Sequence, residues 1–150
     1  MTTNFDRTAN WLESCGKEPG NPHHLSTQIG CHLEEITELL RTLRVDSSGG
    51  ELVLNRVAVD LGWLANKLKS GDYTAHIAAH HRIDALDALC DGEVTGNGIA
   101  YLSKFDKDEA DQRVLDSNDS KLEYGKPVLL PGGKIGKGMN YQAPDLKDLV

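Results

Sequence analysis

The sequence lacks the features that define several common protein classes. It has three cysteines, an odd number without C-x-x-C spacing, which favours reduced thiols in an intracellular protein over a disulfide framework. No apolar run approaches the length of a bilayer span, and the first residues show no signal-peptide pattern. We therefore expect a soluble, cytoplasmic protein with no membrane partner.

Basic side chains are also scarce relative to acidic ones. The chain has 16 Lys and Arg residues against 23 Asp and Glu residues, a formal charge of -7. Sequence-independent binding to nucleic acid or to an anionic membrane needs a basic surface, so both kinds of partner are disfavoured. At 150 residues the chain is long enough to form a core without disulfide or metal support.

Several familiar catalytic motifs are missing. His76 and His80 have the i, i+4 spacing of zinc ligands, but no H-E-x-x-H pattern is present, which favours surface or interface histidines. The glycines between Gly132 and Gly138 do not match the phosphate-loop pattern. No local motif assembles a Ser-His-Asp or Cys-His nucleophile. These absences direct attention to the acidic residues.

The spacing of apolar residues predicts an all-α fold. We expect helices over about Asn4–Ser14, Thr27–Leu43 with Ser26 as N-cap, Glu51–Lys69, Thr74–Leu102 in two pieces meeting near residues 80–82, and Lys107–Ser120. His23 and His24 are expected in the loop before the second of these helices. Gly92, Gly96 and Gly98 fall inside a predicted helix, which indicates a closely approaching backbone or ligand, or a bend.

The composition changes after residue 124, where prolines and glycines become frequent. This change predicts a helical bundle domain over residues 1–124 and an extended tail over residues 125–150, which packs on the bundle or on a neighbouring subunit. Residues 128–130 and 134–135 flank Pro131-Gly132-Gly133, a pattern that indicates a small hairpin.

Two acidic clusters are the most informative feature of the chain. The first cluster is Glu34, Glu35 and Glu38, and the second cluster is Asp84, Asp87 and Asp91. Residues three, four or seven apart share a helix face, so Glu35 and Glu38 point the same way and the three aspartates share another face. Like charges on one face repel, and the aspartates lie among apolar residues, so we expect them to border the core.

Carboxylate oxygens are the ligands that Mg²⁺ requires, and Mn²⁺ accepts similar ones. The two clusters therefore predict a metal site. A bound Mg²⁺ neutralises phosphate oxygens and lowers the pKa of a bound water, whose proton a spare carboxylate can accept. Glu34 points about 100° away from Glu35 around the helix, which makes it an outer ligand or that base. The competing interpretation is a pair of solvated helix faces without metal.

The acidic motifs and the tail together resemble the MazG-like all-α nucleoside triphosphate pyrophosphohydrolases. The first cluster matches the E-E-x-x-E motif of that superfamily, and the second stands where a later acidic motif is found. The tail resembles a bacterial and phage branch, with S-N-D-S-K-L at 117–122, G-K-P at 125–127, G-K-I-G-K-G-M-N-Y at 133–141 and P-D-L at 144–146. The match covers roughly residues 27–44 and 83–146.

This resemblance implies a helical bundle that cleaves an NTP or dNTP to the monophosphate and pyrophosphate with Mg²⁺. It implies a homodimer or homotetramer. It makes Glu35 and Glu38 metal ligands, joined by Asp87 and Asp91 with Asp84 as the third aspartate candidate. Together with Glu34, the outer ligand or base, Glu35 and Glu38 form the expected catalytic set. It places Asn118, Lys121 and Lys137 near the phosphates or nucleoside, and Tyr141 in stacking or tail docking.

Two departures from the family pattern leave alternatives open. The second motif usually begins with Glu, whereas this chain offers only aspartates, so the ligand register among Asp84, Asp87 and Asp91 is ambiguous. A whole extra helix also fits between the clusters. A non-catalytic nucleotide- or metal-binding helical oligomer and a purely structural helical oligomer are the alternatives. The preferred base and sugar stay open.

Overall fold

Helices make up most of the chain in this computed structural model, which describes residues 2–129 and 135–150. The described residues form helices α1 (Asn4–Ser14), α2 (Pro22–Thr42), α3 (Ser48–Ser70), α4 (Arg82–Leu102) and α5 (Lys107–Asp119), with single 3-10 turns at Ala79–His81 and Lys147–Leu149. The expectation of a mainly helical fold is confirmed. None of the described helices is long and apolar enough to cross a bilayer.

Short antiparallel pairings come after α5. Strand β1 (Leu122–Glu123) pairs with β2 (Lys126–Pro127), and the turn between them uses positive φ angles at Tyr124 and Gly125. Leu129 and Ile135 form one further antiparallel bridge. This bridge agrees with the two arms of the predicted hairpin. The predicted turn at Pro131-Gly132-Gly133 lies outside the described residues.

The chain forms two compact units. The terminal unit combines Met1–Lys17 with Ala79–Val150, and the hairpin unit is Glu18–Ala78. The hairpin unit contains α2 and α3, and the terminal unit contains α1, α4, α5 and the tail. The predicted domain boundary at residue 124 stays a prediction.

The α2 helix begins five residues earlier than expected. Asn21 is its N-cap and accepts hydrogen bonds from the amides of His23 and His24, with Pro22 in the first turn. Proline lacks an amide that the first helical turn would leave unpaired anyway, so an Asn-Pro pair starts a helix here instead of breaking it. The predictions of a loop at His23 and His24 and of a cap at Ser26 were therefore wrong.

Small residues allow α2 and α3 to pack closely and antiparallel. Gly30 of α2 lies against Ala65 and Leu68 of α3, and Thr37 lies against Gly62. A Cβ atom built at Gly30 would lie 2.8 Å from the Ala65 carbonyl oxygen. Ser26, predicted as a cap, is buried instead and bonds to the backbone just after α3. The packing of α2 against α3 thus depends on small side chains at the point where the two helices cross.

In the terminal unit, α1 and the tail both dock on α5. Arg7 of α1 forms ion pairs with Asp116 and Asp119 at 2.8 and 2.6 Å. From the tail, Asp148 receives two hydrogen bonds from the Arg113 guanidinium at 2.6 and 2.9 Å. α5 therefore holds both α1 and the end of the tail by charge pairing.

The α4 helix differs from expectation in three ways. Residues 74–78 are not helical, so the helix begins only at Arg82. A Cβ atom at Gly92, Gly96 or Gly98 would meet nothing within 4 Å in the described part of the chain, so no close approach accounts for these glycines. The aspartate face of α4 is exposed and does not border the core, because α4 packs little against the rest of its unit.

Candidate functional site

The first acidic cluster lies on α2, with one of its members turned toward α3. The Nζ atom of Lys69 lies 2.5 Å from Oε1 of Glu34, which is partly buried in the helix seam. Glu35 and Glu38 are exposed. The Glu34 charge is therefore compensated by a lysine from the neighbouring helix.

Lys69 was not among the residues singled out from the sequence. Its contact with Glu34 depends on how α2 and α3 align when they pack, because Lys69 and Glu34 are 35 positions apart along the chain. A lysine at the end of an amphipathic helix is common, so the sequence carries no local signal for this pair. Only the alignment of Gly30 with Ala65 would have indicated it.

The second acidic cluster lies along one face of α4. Asp84, Asp87 and Asp91 are all exposed, and Asp84 pairs with Nδ1 of His81 at 3.1 Å. In water the repulsion between two carboxylates a few ångströms apart is only about 1 kcal/mol. This face therefore needs no counter-ion for the fold, and its carboxylates can be hydrated or can contact a ligand from solvent.

The two clusters belong to different units, the first to the hairpin unit and the second to the terminal unit. Within residues 2–129 and 135–150, no group of three or more His, Cys, Asp or Glu side chains is placed to hold a metal ion. Magnesium is often bound by only one or two carboxylates together with substrate phosphates. The pairs Glu35–Glu38 and Asp87–Asp91 have the donor chemistry that such an ion uses.

The four residues expected to contact substrate lie in one unit, around the end of α5 and the tail. We call Ser117, Asn118, Lys121, Lys137 and Tyr141 the α5–tail cluster. Lys121 donates to Oδ1 of Asn118 at 2.8 Å, and the Nζ atom of Lys137 lies 4.5 Å from the centre of the Tyr141 ring. Residues up to 24 positions apart in the sequence thus supply neighbouring side chains.

Tyr141 interacts both with the α5 end of the α5–tail cluster and with the tail residue Lys137. Its pKa is lowered from the ordinary tyrosine value, mainly by a hydrogen bond with the buried Ser117 and further by Lys137 and Lys121. A phenol responds in this way because nearby donors and positive charges favour the phenolate form. The same positive potential would favour an anionic ligand such as a phosphate.

The α1 helix supports the cluster from the other side. Trp11 donates from Nε1 to the carbonyl oxygen of Asn118 at 2.8 Å, and its ring centre lies 5.8 Å from the Nζ atom of Lys121. Trp11 therefore holds the segment from which Asn118 and Lys121 extend.

A shallow open cleft of about 210 Å³ adjoins the cluster between α5 and the tail. Drug-sized ligands usually occupy pockets of about 300 Å³ or more, so this cleft alone is small for a whole nucleotide. Its lining residues are Arg113, Asp116, Ser117, Gln142, Ala143, Pro144 and Asp145.

Comparisons with protein-family models, with curated proteins and with solved structures found no match to this chain. The resemblance to MazG-like proteins is thus carried by the motifs themselves.

Proposed function

We propose that this protein is a Mg²⁺-dependent nucleoside triphosphate pyrophosphohydrolase that converts an NTP or dNTP to its monophosphate and pyrophosphate. The observation that supports this proposal most is the meeting of Asn118, Lys121, Lys137 and Tyr141 in the α5–tail cluster. The tail resemblance predicted all four residues as substrate contacts. The hydrogen bond between Ser117 and Tyr141 connects the local pair Asn118–Lys121 with the local pair Lys137–Tyr141.

The α5–tail cluster would receive the anionic part of the nucleotide. Lys121 and Lys137 are point charges suited to phosphate oxygens, and charge-assisted hydrogen bonds are stronger than neutral ones. The Asn118 amide now holds Lys121 in place and can share it with a phosphate. Tyr141 offers a ring face for a base or keeps the tail docked.

The acidic clusters would hold the metal. Glu35 and Glu38 from α2, with Asp87 and Asp91 from α4 and Asp84 as the third aspartate, are the proposed ligands. A bound Mg²⁺ would supply neutralisation of phosphate charge and a lowered pKa for water. The first cluster belongs to the hairpin unit and the second to the terminal unit.

Glu34 is the proposed proton acceptor. In the reaction, a water oxygen bonds to the α-phosphorus, the bond from that phosphorus to the bridging oxygen breaks, and pyrophosphate leaves with the electron pair. The proton of the water passes to a carboxylate. Lys69 contacts Glu34 and would keep this carboxylate oriented while Glu35 and Glu38 face solvent.

A screen of common and modified NTPs for pyrophosphate release, with and without Mg²⁺, tests the proposal. Glu38→Gln and Asp91→Asn should each lower turnover by about 100-fold or more without unfolding the protein, because each removes a charged oxygen ligand. Glu93→Gln and Asp46→Asn are matched controls, since both residues are exposed acids outside the proposed site.

Full activity in both Glu38→Gln and Asp91→Asn would contradict the assignment of the metal site. Thermal stabilisation by nucleotide and Mg²⁺ without any product would select the non-catalytic binding module instead. No response to either would favour the structural oligomer.

A further inference from the structure

One face of helix α1 bonds to α5 along most of its length. Asn4, Arg7 and Trp11 follow one another at spacings of three and four residues, so they share this face. Asn4 accepts a hydrogen bond from Gln112 at 3.0 Å, and Arg7 donates to the same side chain at 3.1 Å. Trp11 continues the series and contacts two members of the α5–tail cluster, which connects α1 to the proposed nucleotide site.

Trp11 contacts both Asn118 and Lys121. Its Nε1–H donates to the Asn118 carbonyl oxygen at 2.8 Å, and the Lys121 backbone amide donates to the same oxygen at 3.1 Å. The Lys121 ammonium donates to the Asn118 side chain at 2.8 Å and lies 5.8 Å from the centre of the Trp11 ring. An ammonium within about 6 Å of an indole ring is attracted to it. Together these contacts hold Lys121 at both its backbone and its charged end.

The groups that hold the Lys121 ammonium are neutral, whereas other lysines of the chain are paired with carboxylates. Lys69 pairs with Glu34, and Lys107 pairs with Asp111 at 2.6 Å. An amide oxygen and an indole ring carry no net charge, so they orient the positive charge of Lys121 without cancelling it. An anionic ligand that reaches this ammonium therefore meets its whole charge.

The orientation of Lys121 affects affinity because a lysine side chain is flexible. Its four-carbon stem loses conformational freedom when a ligand immobilises the ammonium, and that loss weakens binding. A side chain that is already ordered in the free protein loses less. The contact between Trp11 and Lys121 therefore favours phosphate binding even without a contact between Trp11 and the phosphate.

We propose that Trp11 is a positioning residue of the nucleotide site, and that it acts by orienting the Lys121 ammonium for a phosphate group of the ligand. This inference rests on the proposed function, since it takes the α5–tail cluster as the place where phosphate binds. It adds to that function a contribution from α1, a helix that contains none of the residues of the acidic or tail motifs.

The first test measures the binding of inorganic triphosphate to the full-length protein by isothermal titration calorimetry with Mg²⁺ present. Trp11→Phe keeps an aromatic ring and removes the N–H donor. It should weaken binding about three- to tenfold, because the ligand must then order Lys121 itself. Trp63→Phe is the matched control, since it makes the same exchange at the other tryptophan of the chain, in the hairpin unit, and it should change the affinity by less than about twofold.

Two double variants separate positioning from general support of the fold. In a Lys121→Met background, Trp11→Phe should weaken triphosphate binding by less than about 1.5-fold, because the ammonium that Trp11 orients is gone. In a Lys137→Met background, Trp11→Phe should weaken binding by about three- to tenfold, as in the unchanged chain. A loss of stability caused by Trp11→Phe would act in both backgrounds, so the comparison holds even if this variant unfolds more easily.

Each result of these titrations decides the inference. Unchanged affinity in Trp11→Phe, or equal weakening in the two lysine backgrounds, would overturn it and leave the proposed function intact. Absence of triphosphate binding to the unchanged chain would overturn it together with the binding step of the proposed function. The expected pattern in a protein that gives no product from any NTP would support the role of Trp11 and contradict hydrolysis alone.

Discussion

At the scale of single residues, the acidic side chains differ in whether a cationic side chain already contacts them. Glu34 is engaged by Lys69, whereas Glu38, Asp87 and Asp91 face solvent. The existing partners of the lysines in the α5–tail cluster likewise determine whether these lysines can contact a ligand. Lys121 is held by Asn118, but an amide is a neutral partner that a phosphate can replace at little cost.

The two cluster lysines should therefore contribute directly to nucleotide affinity. Lys121→Met and Lys137→Met should each weaken binding of a non-hydrolysable NTP analogue by about tenfold or more, the usual effect of losing a hydrogen bond to a charged group. Isothermal titration calorimetry with Mg²⁺ present measures the effect. Lys147→Met is the matched control, because Lys147 is an exposed lysine of the same tail. Equal losses in all three variants would show that only overall charge matters.

At the scale of elements, local signals predicted helices well and their ends less well. The bounds of α1 were predicted correctly, since Thr3 and Asp6 form a capping box and Gly16 comes soon after the helix. The start of α2 was predicted wrongly because an Asn-Pro pair such as Asn21-Pro22 can either end a helix or begin one. The residues after the pair decide between them, and here they continue as a helix.

The elements of the candidate site were predictable to different degrees. The tail resemblance named Asn118, Lys121, Lys137 and Tyr141, and the structure places Asn118 beside Lys121 and Lys137 beside Tyr141, while their role in binding stays a prediction. The partner of Glu34 and the exposure of the aspartates were not predictable, because both depend on how helices pack. Apolar neighbours of the aspartates suggested a nearby core, yet those neighbours are themselves exposed.

The close crossing of α2 and α3 requires a residue without a Cβ atom at Gly30. Gly30→Ala should lower the free energy of unfolding of the hairpin unit by about 1 to 2 kcal/mol, because the clash with the Ala65 backbone outweighs the better helix propensity of alanine. Gly92→Ala is the control, since its Cβ would meet nothing within 4 Å in the described structure, and it should stabilise α4 by up to about 1 kcal/mol. Urea denaturation followed by circular dichroism measures both. Stabilisation by Gly30→Ala would contradict the close crossing.

The docking of the tail on α5 should weaken at acid pH. The hydrogen bonds from Arg113 lower the pKa of Asp148 below its ordinary value of 3.8. A carboxyl group whose pKa is lower in the folded state adds stability above the unfolded value and loses it as the pH falls through the folded value. The tail should therefore loosen only below about pH 3.8.

Amide hydrogen exchange of Asp106 reports this docking, because its N–H donates to the carbonyl oxygen of Leu149 at 2.9 Å. After correction for the intrinsic rate, protection should fall below that pH in the unchanged chain. Asp148→Asn should lower protection at neutral pH and remove most of the acid dependence. Unchanged protection in Asp148→Asn would show that the ion pair does not hold the tail.

At the scale of the whole molecule, each of the two units carries residues that the proposed function uses. Glu35 and Glu38 lie in the hairpin unit, and Asp87, Asp91 and the α5–tail cluster lie in the terminal unit. A chain with a formal charge of -7 repels phosphate at long range. If the proposed function holds, the local lysines and Mg²⁺ must offset this repulsion, so removing Mg²⁺ should abolish activity and removing one lysine should weaken it.

In the proposed function, this protein cleaves a nucleoside triphosphate at its α-phosphorus. The most direct measurement is product analysis by mass spectrometry after incubation with an accepted NTP and Mg²⁺ in oxygen-18 water. The account predicts a monophosphate and pyrophosphate in equal amounts, with the heavy oxygen in the monophosphate, and no reaction when Mg²⁺ is removed by a chelator. Release of inorganic phosphate and a diphosphate, or no product from any NTP or dNTP tested, would contradict it.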